Sequence, residues 1–174
     1  MMTTANKITI LRIVLMPLFI ILFLQGMHPW PLIIFTFTIF TDALDGFIAR
    51  WRKQTTPLGA FLDPMADKLL MFSSFLVGAY LHLIPLWIFV VILSRDLIII
   101  SGWTIMYFIT GSKEVQPRFL GKLTTIFQMG TIWLMLLQIP QTYLHNLLLT
   151  TTIITVMSGL DYVVTGSKKL NHHA

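Results

Sequence analysis

The chain has 174 residues, is 56% hydrophobic with a mean hydropathy of +0.80, and only 11% of it is charged. These values exclude an ordinary soluble domain and place the chain in the integral membrane class, as a single domain over 1–174. The net charge of +5 is no sign of nucleic acid, because the twelve Lys and Arg residues are spread over the flanks of apolar stretches, where anionic lipid headgroups attract them.

Six stretches are long and apolar enough to cross a bilayer as helices, at about 8–26, 31–50, 61–81, 84–110, 121–139 and 143–165. The expected fold is therefore all-α, a polytopic six-transmembrane-helix bundle. The first stretch follows Lys7 and Arg12 as a secretory signal would, but no small-residue cleavage site comes after it. Gln25-Gly26-Met27-His28-Pro29 is expected to turn the chain back instead, which predicts a retained span. Asn6, Thr9 and Arg12 form a polar stripe at helical spacing, to be read as a capped helix end with a snorkelling arginine or as the lining of a pocket. Pro17 is expected to kink this helix.

The segment from Asp42 to Asp67 holds four of the seven acidic residues, Asp42, Asp45, Asp63 and Asp67. Spacings of three and four put each pair on one helix face. Carboxylates so close repel one another, which a weakly solvated site tolerates only when protons or cations neutralise them. Oxygen ligands without Cys or His favour a hard divalent ion, Mg²⁺ or Mn²⁺, over zinc. Gly46 and Ala49 continue the first face and Gly59 lies one turn before Asp63, so a ligand can approach the backbone. Arg50, Arg52 and Lys53 bring positive charge to the edge, which suits a phosphorylated substrate. In the following connection, Thr55 and Thr56 offer hydroxyls to phosphate or nucleotide, or to solvent.

Thr36, Thr38 and Thr41, ahead of Asp42, read as packing or backbone-bonding residues. Further on, Arg95 and Asp96 interrupt the fourth span. An intramembrane arginine needs a partner. Sequence neighbours do not face each other on a helix, so a site carboxylate or a substrate phosphate is expected for Arg95. Arg118 and Lys122, four apart around Gly121, supply two cations at the entry to span five and are assigned with Arg95 to a substrate phosphate. Ser158, Gly159 and Asp161 in span six read as helix-packing material. The alternate connections near 26–31, 81–85 and 139–144 contain no Lys or Arg, so both termini and the basic loops are expected on the cytoplasmic side. Absence of cysteine removes disulfides and thiol chemistry, and the histidines lie far from the aspartates.

The residues Asp42-x-x-Asp45-Gly46-x-x-Ala49-Arg50-x8-Gly59-x3-Asp63-x3-Asp67 resemble the signature of the CDP-alcohol phosphatidyltransferases. The resemblance implies a membrane enzyme of phospholipid biosynthesis that displaces CMP from CDP-diacylglycerol with the hydroxyl of a polar or lipid alcohol. It implies two divalent cations, Mg²⁺ or Mn²⁺, held by Asp42, Asp45, Asp63 and Asp67, with Asp67 as the base. Asn6, Gly46, Ala49, Arg50, Thr56 and Gly59 are then assigned to the CDP moiety, and Asn6, Thr9 and Arg12 match the entry the family carries ahead of the signature. A homodimer in the cell inner membrane is also implied, with the active site facing the cytosol.

For the acceptor, Asp63-Pro64-Met65-Ala66-Asp67-Lys68 is similar to the form shared by phosphatidylglycerophosphate synthases and CDP-diacylglycerol-dependent cardiolipin synthases. The former tend to carry a second arginine two turns after the first in span four, where this chain has Trp103. Arg95, Arg118 and Lys122 still supply three positive charges, so glycerol 3-phosphate leads and phosphatidylglycerol is the alternative. A cation- or proton-coupled transporter would also use the four aspartates, but it leaves Gly46, Ala49, Arg50 and Gly59 without a reason.

Overall fold

The computed structural model describes the backbone of residues 4–52, 57–110 and 119–173, and side chains within 10–41, 65–108 and 119–167. The elements are α1 (Thr4–Leu24), α2 (Trp30–Arg52), α3 (Pro57–Tyr80), α4 (Leu86–Thr110), α5 (Phe119–Leu136) and α6 (Gln141–His173). Helices are the only regular structure among the described residues, as the apolar stretches require. Each expected span coincides with one helix. The largest difference is α6, which runs to His173. At 1.5 Å per residue its 33 residues make about 50 Å, well beyond a hydrocarbon core of about 30 Å. Pro17 lies inside a continuous α1.

The helix ends follow local chemistry. Pro57 opens α3, where a missing N–H leaves nothing unsatisfied. Gly26 closes α1 with φ +64°, and the Gly26 amide donates to the Phe23 carbonyl while the Met27 amide donates to that of Leu22. This is a left-handed cap that satisfies two terminal carbonyls. His82 after α3 and Gln138 after α5 take the same left-handed backbone, with φ of 58° and 55°.

The chain divides into two units. One comprises residues 1–81 with 132–138, the other 82–131 with 139–174. In the first, α1 packs on both α2 and α3. Phe19, Phe23 and Phe35 are buried there, with ring centroids 5.7 Å apart for Phe19 and Phe23 and 6.2 Å for Phe19 and Phe35. Trp133 donates its indole N–H to the Thr36 hydroxyl at 3.1 Å, while Thr38 and Thr41 donate to backbone carbonyls one turn back. In the second unit α4 packs on α6.

Polar groups join α5 to α6. Thr131 donates to the Phe127 carbonyl, so in its 2.7 Å contact with Thr151 the Thr151 hydroxyl is the donor. Gln128 donates to Thr155 at 3.4 Å, and Thr155 donates to the Thr151 carbonyl. Returning the hydroxyl proton to the carbonyl four residues earlier lets a threonine be buried in an apolar helix.

Two helices among the described residues are long and apolar enough to cross a membrane, Phe119–Leu136 and Gln141–Ser167. Shorter apolar stretches occupy Ile10–Leu24 and Trp30–Thr41.

Candidate active site

Asp42, Asp45, Gly46, Ala49 and Arg50 fall on α2, and Gly59, Asp63 and Asp67 on α3, so the signature occupies two consecutive helices of one unit. Of the four aspartates, Asp67 has a described side chain. Those of Asn6, Asp42, Asp45, Ala49, Arg50 and Asp63 lie outside the described residues, as do Thr56 and Arg118 altogether.

Asp67 is held across the helix interface. Arg12 Nη1 donates to Asp67 Oδ1 at 3.1 Å, with the arginine side chain 3% exposed and the aspartate 29%. Around it, Ala66 and Leu70 are buried and pack this turn of α3. A buried guanidinium has lost its hydration, and the carboxylate replaces part of it with a charge-assisted hydrogen bond. The sequence signal was available: the demand that an intramembrane arginine find a partner, applied to Arg95, applies equally to Arg12.

Arg95 occupies the second unit, buried between α4 and α6. Its Nη1 donates to Asp96 Oδ1 at 2.8 Å and its Nη2 to Ser158 Oγ at 2.9 Å. This corrects the expectation that sequence neighbours do not meet. The Cβ positions diverge, but the arginine stem is long enough for the head to turn back to the next residue. Small residues make the slot. A Cβ on Gly159 would stand 3.4 Å from Arg95 Cγ, and one on Gly121 3.4 Å from Nη2. The Ser158-Gly159 pair therefore does more than bring helices close, because it seats the arginine. Lys122 follows Gly121 on α5 and is exposed.

Nearby, the Tyr162 hydroxyl donates to the Ile99 carbonyl at 3.1 Å and its ring covers Gly102.

The sequence matches the CDP-alcohol phosphatidyltransferase family over residues 2–158. The chain belongs to that family. The match begins before α1 and runs far beyond the two signature helices, taking in nearly all of the first unit and the second as far as residue 158. Among relatives of this phosphatidyltransferase, a Bacillus subtilis protein named CDP-diacylglycerol-glycerol-3-phosphate 3-phosphatidyltransferase is 30% identical, covering 93% of this chain and 94% of the relative. A probable phosphatidylglycerophosphate synthase of Mycobacterium tuberculosis is 35% identical over 91% of this chain and 79% of its own. A probable CMP-forming cardiolipin synthase of Drosophila melanogaster is 32% identical over 94% of this chain, which spans 57% of that relative. Membership in a family of membrane-integral transferases removes the transporter alternative.

Proposed function

We propose that this phosphatidyltransferase makes phosphatidylglycerophosphate, transferring the phosphatidyl group of CDP-diacylglycerol to glycerol 3-phosphate with release of CMP. One observation carries the reading: a relative named for that acceptor aligns over nearly the whole of both chains. The cations of the second unit agree with it. Arg95 Nη2 lies against Gly121, the residue flanked at three and one positions by Arg118 and Lys122, so the α5 entry gathers positive charge suited to a small dianion. Both Nη groups of Arg95 are engaged in its absence, and acceptor phosphate would compete with Ser158 and Asp96 for them.

The donor set fits hard divalent cations, being four carboxylates on consecutive helices with Arg12 already offsetting one of them. Asp42, Asp45, Asp63 and Asp67 would hold the two ions, Mg²⁺ or Mn²⁺. Such ions neutralise charge on the pyrophosphate and on departing CMP. The chain's own residues do the rest. Arg50 binds the CDP phosphates, with Asn6, Thr56 and the backbone at Gly46, Ala49 and Gly59 shaping the nucleotide pocket. An Asp67 carboxylate oxygen takes the proton of the attacking hydroxyl as its oxygen bonds to the phosphatidyl phosphorus and the bond to the CMP oxygen breaks.

In this reading all six helices cross the bilayer, the site opens to the cytosol, and two copies form a homodimer in the cell inner membrane. Supplied with CDP-diacylglycerol and Mn²⁺, the purified protein should release CMP on addition of glycerol 3-phosphate, and Arg118→Ala should raise the acceptor KM about tenfold, about 1.4 kcal/mol, through loss of a charge-assisted contact. Trp103 at the place of a second arginine, together with the cardiolipin synthase relative, favours phosphatidylglycerol as the second reading. Conversion of phosphatidylglycerol to cardiolipin, with glycerol 3-phosphate ignored, would decide for it.

A further inference from the structure

We infer that Arg12 is the positioning residue for Asp67, acting on the reaction through that carboxylate and not through the substrate. The inference rests on the reading of Asp67 as the proton acceptor. Arg12 comes from α1, 55 residues away from Asp67 and ahead of the signature, and it donates to Oδ1 at 3.1 Å.

The burial of the two partners is unequal, and that inequality carries the argument. The guanidinium is almost wholly enclosed, whereas the carboxylate retains 29% of its exposure. Arg12 thus grips Asp67 from the packed side and leaves the carboxylate at the border of the packed region. Two rotatable bonds separate that carboxylate from the backbone. A fixed donor on one oxygen restricts both. Cohesion alone is a weak reason for such a pair, since apolar residues of similar volume hold two helices together as well or better. A carboxylate that must meet a reacting hydroxyl within a few tenths of an ångström is a stronger one, because small misplacements of a catalytic group cost large factors in rate. The pair also sets a permanent positive charge beside the acidic cluster, which lessens the repulsion that four aspartates impose on one another.

The test compares wild type, Arg12→Gln, Arg12→Lys and Asp67→Asn as full-length proteins in detergent micelles. CMP release gives kcat and both KM values, and electron paramagnetic resonance gives bound Mn²⁺. Arg12→Gln should lower kcat by about 30-fold or more while each KM stays within about threefold of wild type and bound Mn²⁺ is retained. Arg12→Lys keeps the charge without the planar fork and should recover at least about fivefold of that loss. A folded Arg12→Gln protein with kcat within about threefold of wild type overturns the inference. So does a loss confined to the KM for CDP-diacylglycerol, which would make Arg12 a substrate ligand, or a loss of bound Mn²⁺, which would make it a metal-retention residue. If Arg12→Gln does not fold, Arg12→Lys decides, with reduced kcat at unchanged KM in favour and wild-type kcat against. Retained activity in Asp67→Asn would refute the assignment of the base itself, an outcome distinct from a silent Arg12.

Discussion

At the scale of single residues, the two buried arginines are each held in an ion pair whose members differ in burial. Arg12 is enclosed while Asp67 is half open, and Arg95 is 8% exposed while Asp96 is 21% exposed. In each pair the arginine is the buried partner, in keeping with a weakly hydrated, delocalised cation that can direct several donors at fixed acceptors. The carboxylates are the more exposed partners. For the aspartates of the signature, this argues that removing one charge disables function more than fold. Asp63→Asn is expected to remain folded and membrane-inserted yet release CMP only at background rate, since an amide replaces a carboxylate proposed to hold metal without creating an unpaired charge. A size-exclusion profile and a CMP assay on the same preparation check both halves, and turnover within a few-fold of wild type would defeat the metal assignment.

At the scale of elements, glycine marks where helices must approach closely. On α4, a Cβ added at Gly102 would stand 2.7 Å from Tyr162 Cε1, closer than carbon atoms tolerate. The ring would have to shift, and with it the hydroxyl that bonds the Ile99 carbonyl at 3.1 Å. On α5, by contrast, a Cβ at Gly130 meets nothing within 4 Å. Gly102→Ala should therefore destabilise by about 1–3 kcal/mol through overpacking, and Gly130→Ala should be neutral or stabilise by up to about 1 kcal/mol, as alanine does in a helix interior. Thermal unfolding of both variants in the same detergent measures the contrast. Equal melting points would mean that the Tyr162 contact does not hold α4 to α6.

At the scale of the whole molecule, the absence of cysteine makes the proposed topology directly measurable, because any introduced thiol is the only one present. Single cysteines at Met27, His82 and Gln141, in or beside the turns without Lys or Arg, should react with a membrane-impermeant maleimide applied from the non-cytoplasmic side. One at Ser167, next to Lys168 and Lys169, should react only after the membrane is opened. Labelling of Ser167 together with Met27 in intact cells would overturn the six-crossing arrangement.

By itself, the sequence determined the helical class, the place of the six helices among the described residues and the family. Apolar runs of spanning length and a polar signature at helical spacing are local properties, and local properties are legible without a fold. A helix end was legible where turn chemistry marks it, as at Gly26, but not at Pro57, four residues ahead of the expected start at 61, nor at His82 and Gln138, whose left-handed backbone no glycine announces. The C-terminal extension of α6 was missed because the estimate stopped where apolarity stops, while a helix continues as long as its backbone hydrogen bonds do. Tertiary structure alone decided the partners of the buried arginines. Arg12 meets an aspartate 55 residues away, and Arg95 meets both its neighbour and a serine 63 residues away. Charge burial states that a partner must exist, but which carboxylate or hydroxyl comes within about 3 Å depends on how helices distant in sequence pack, and no local pattern encodes that.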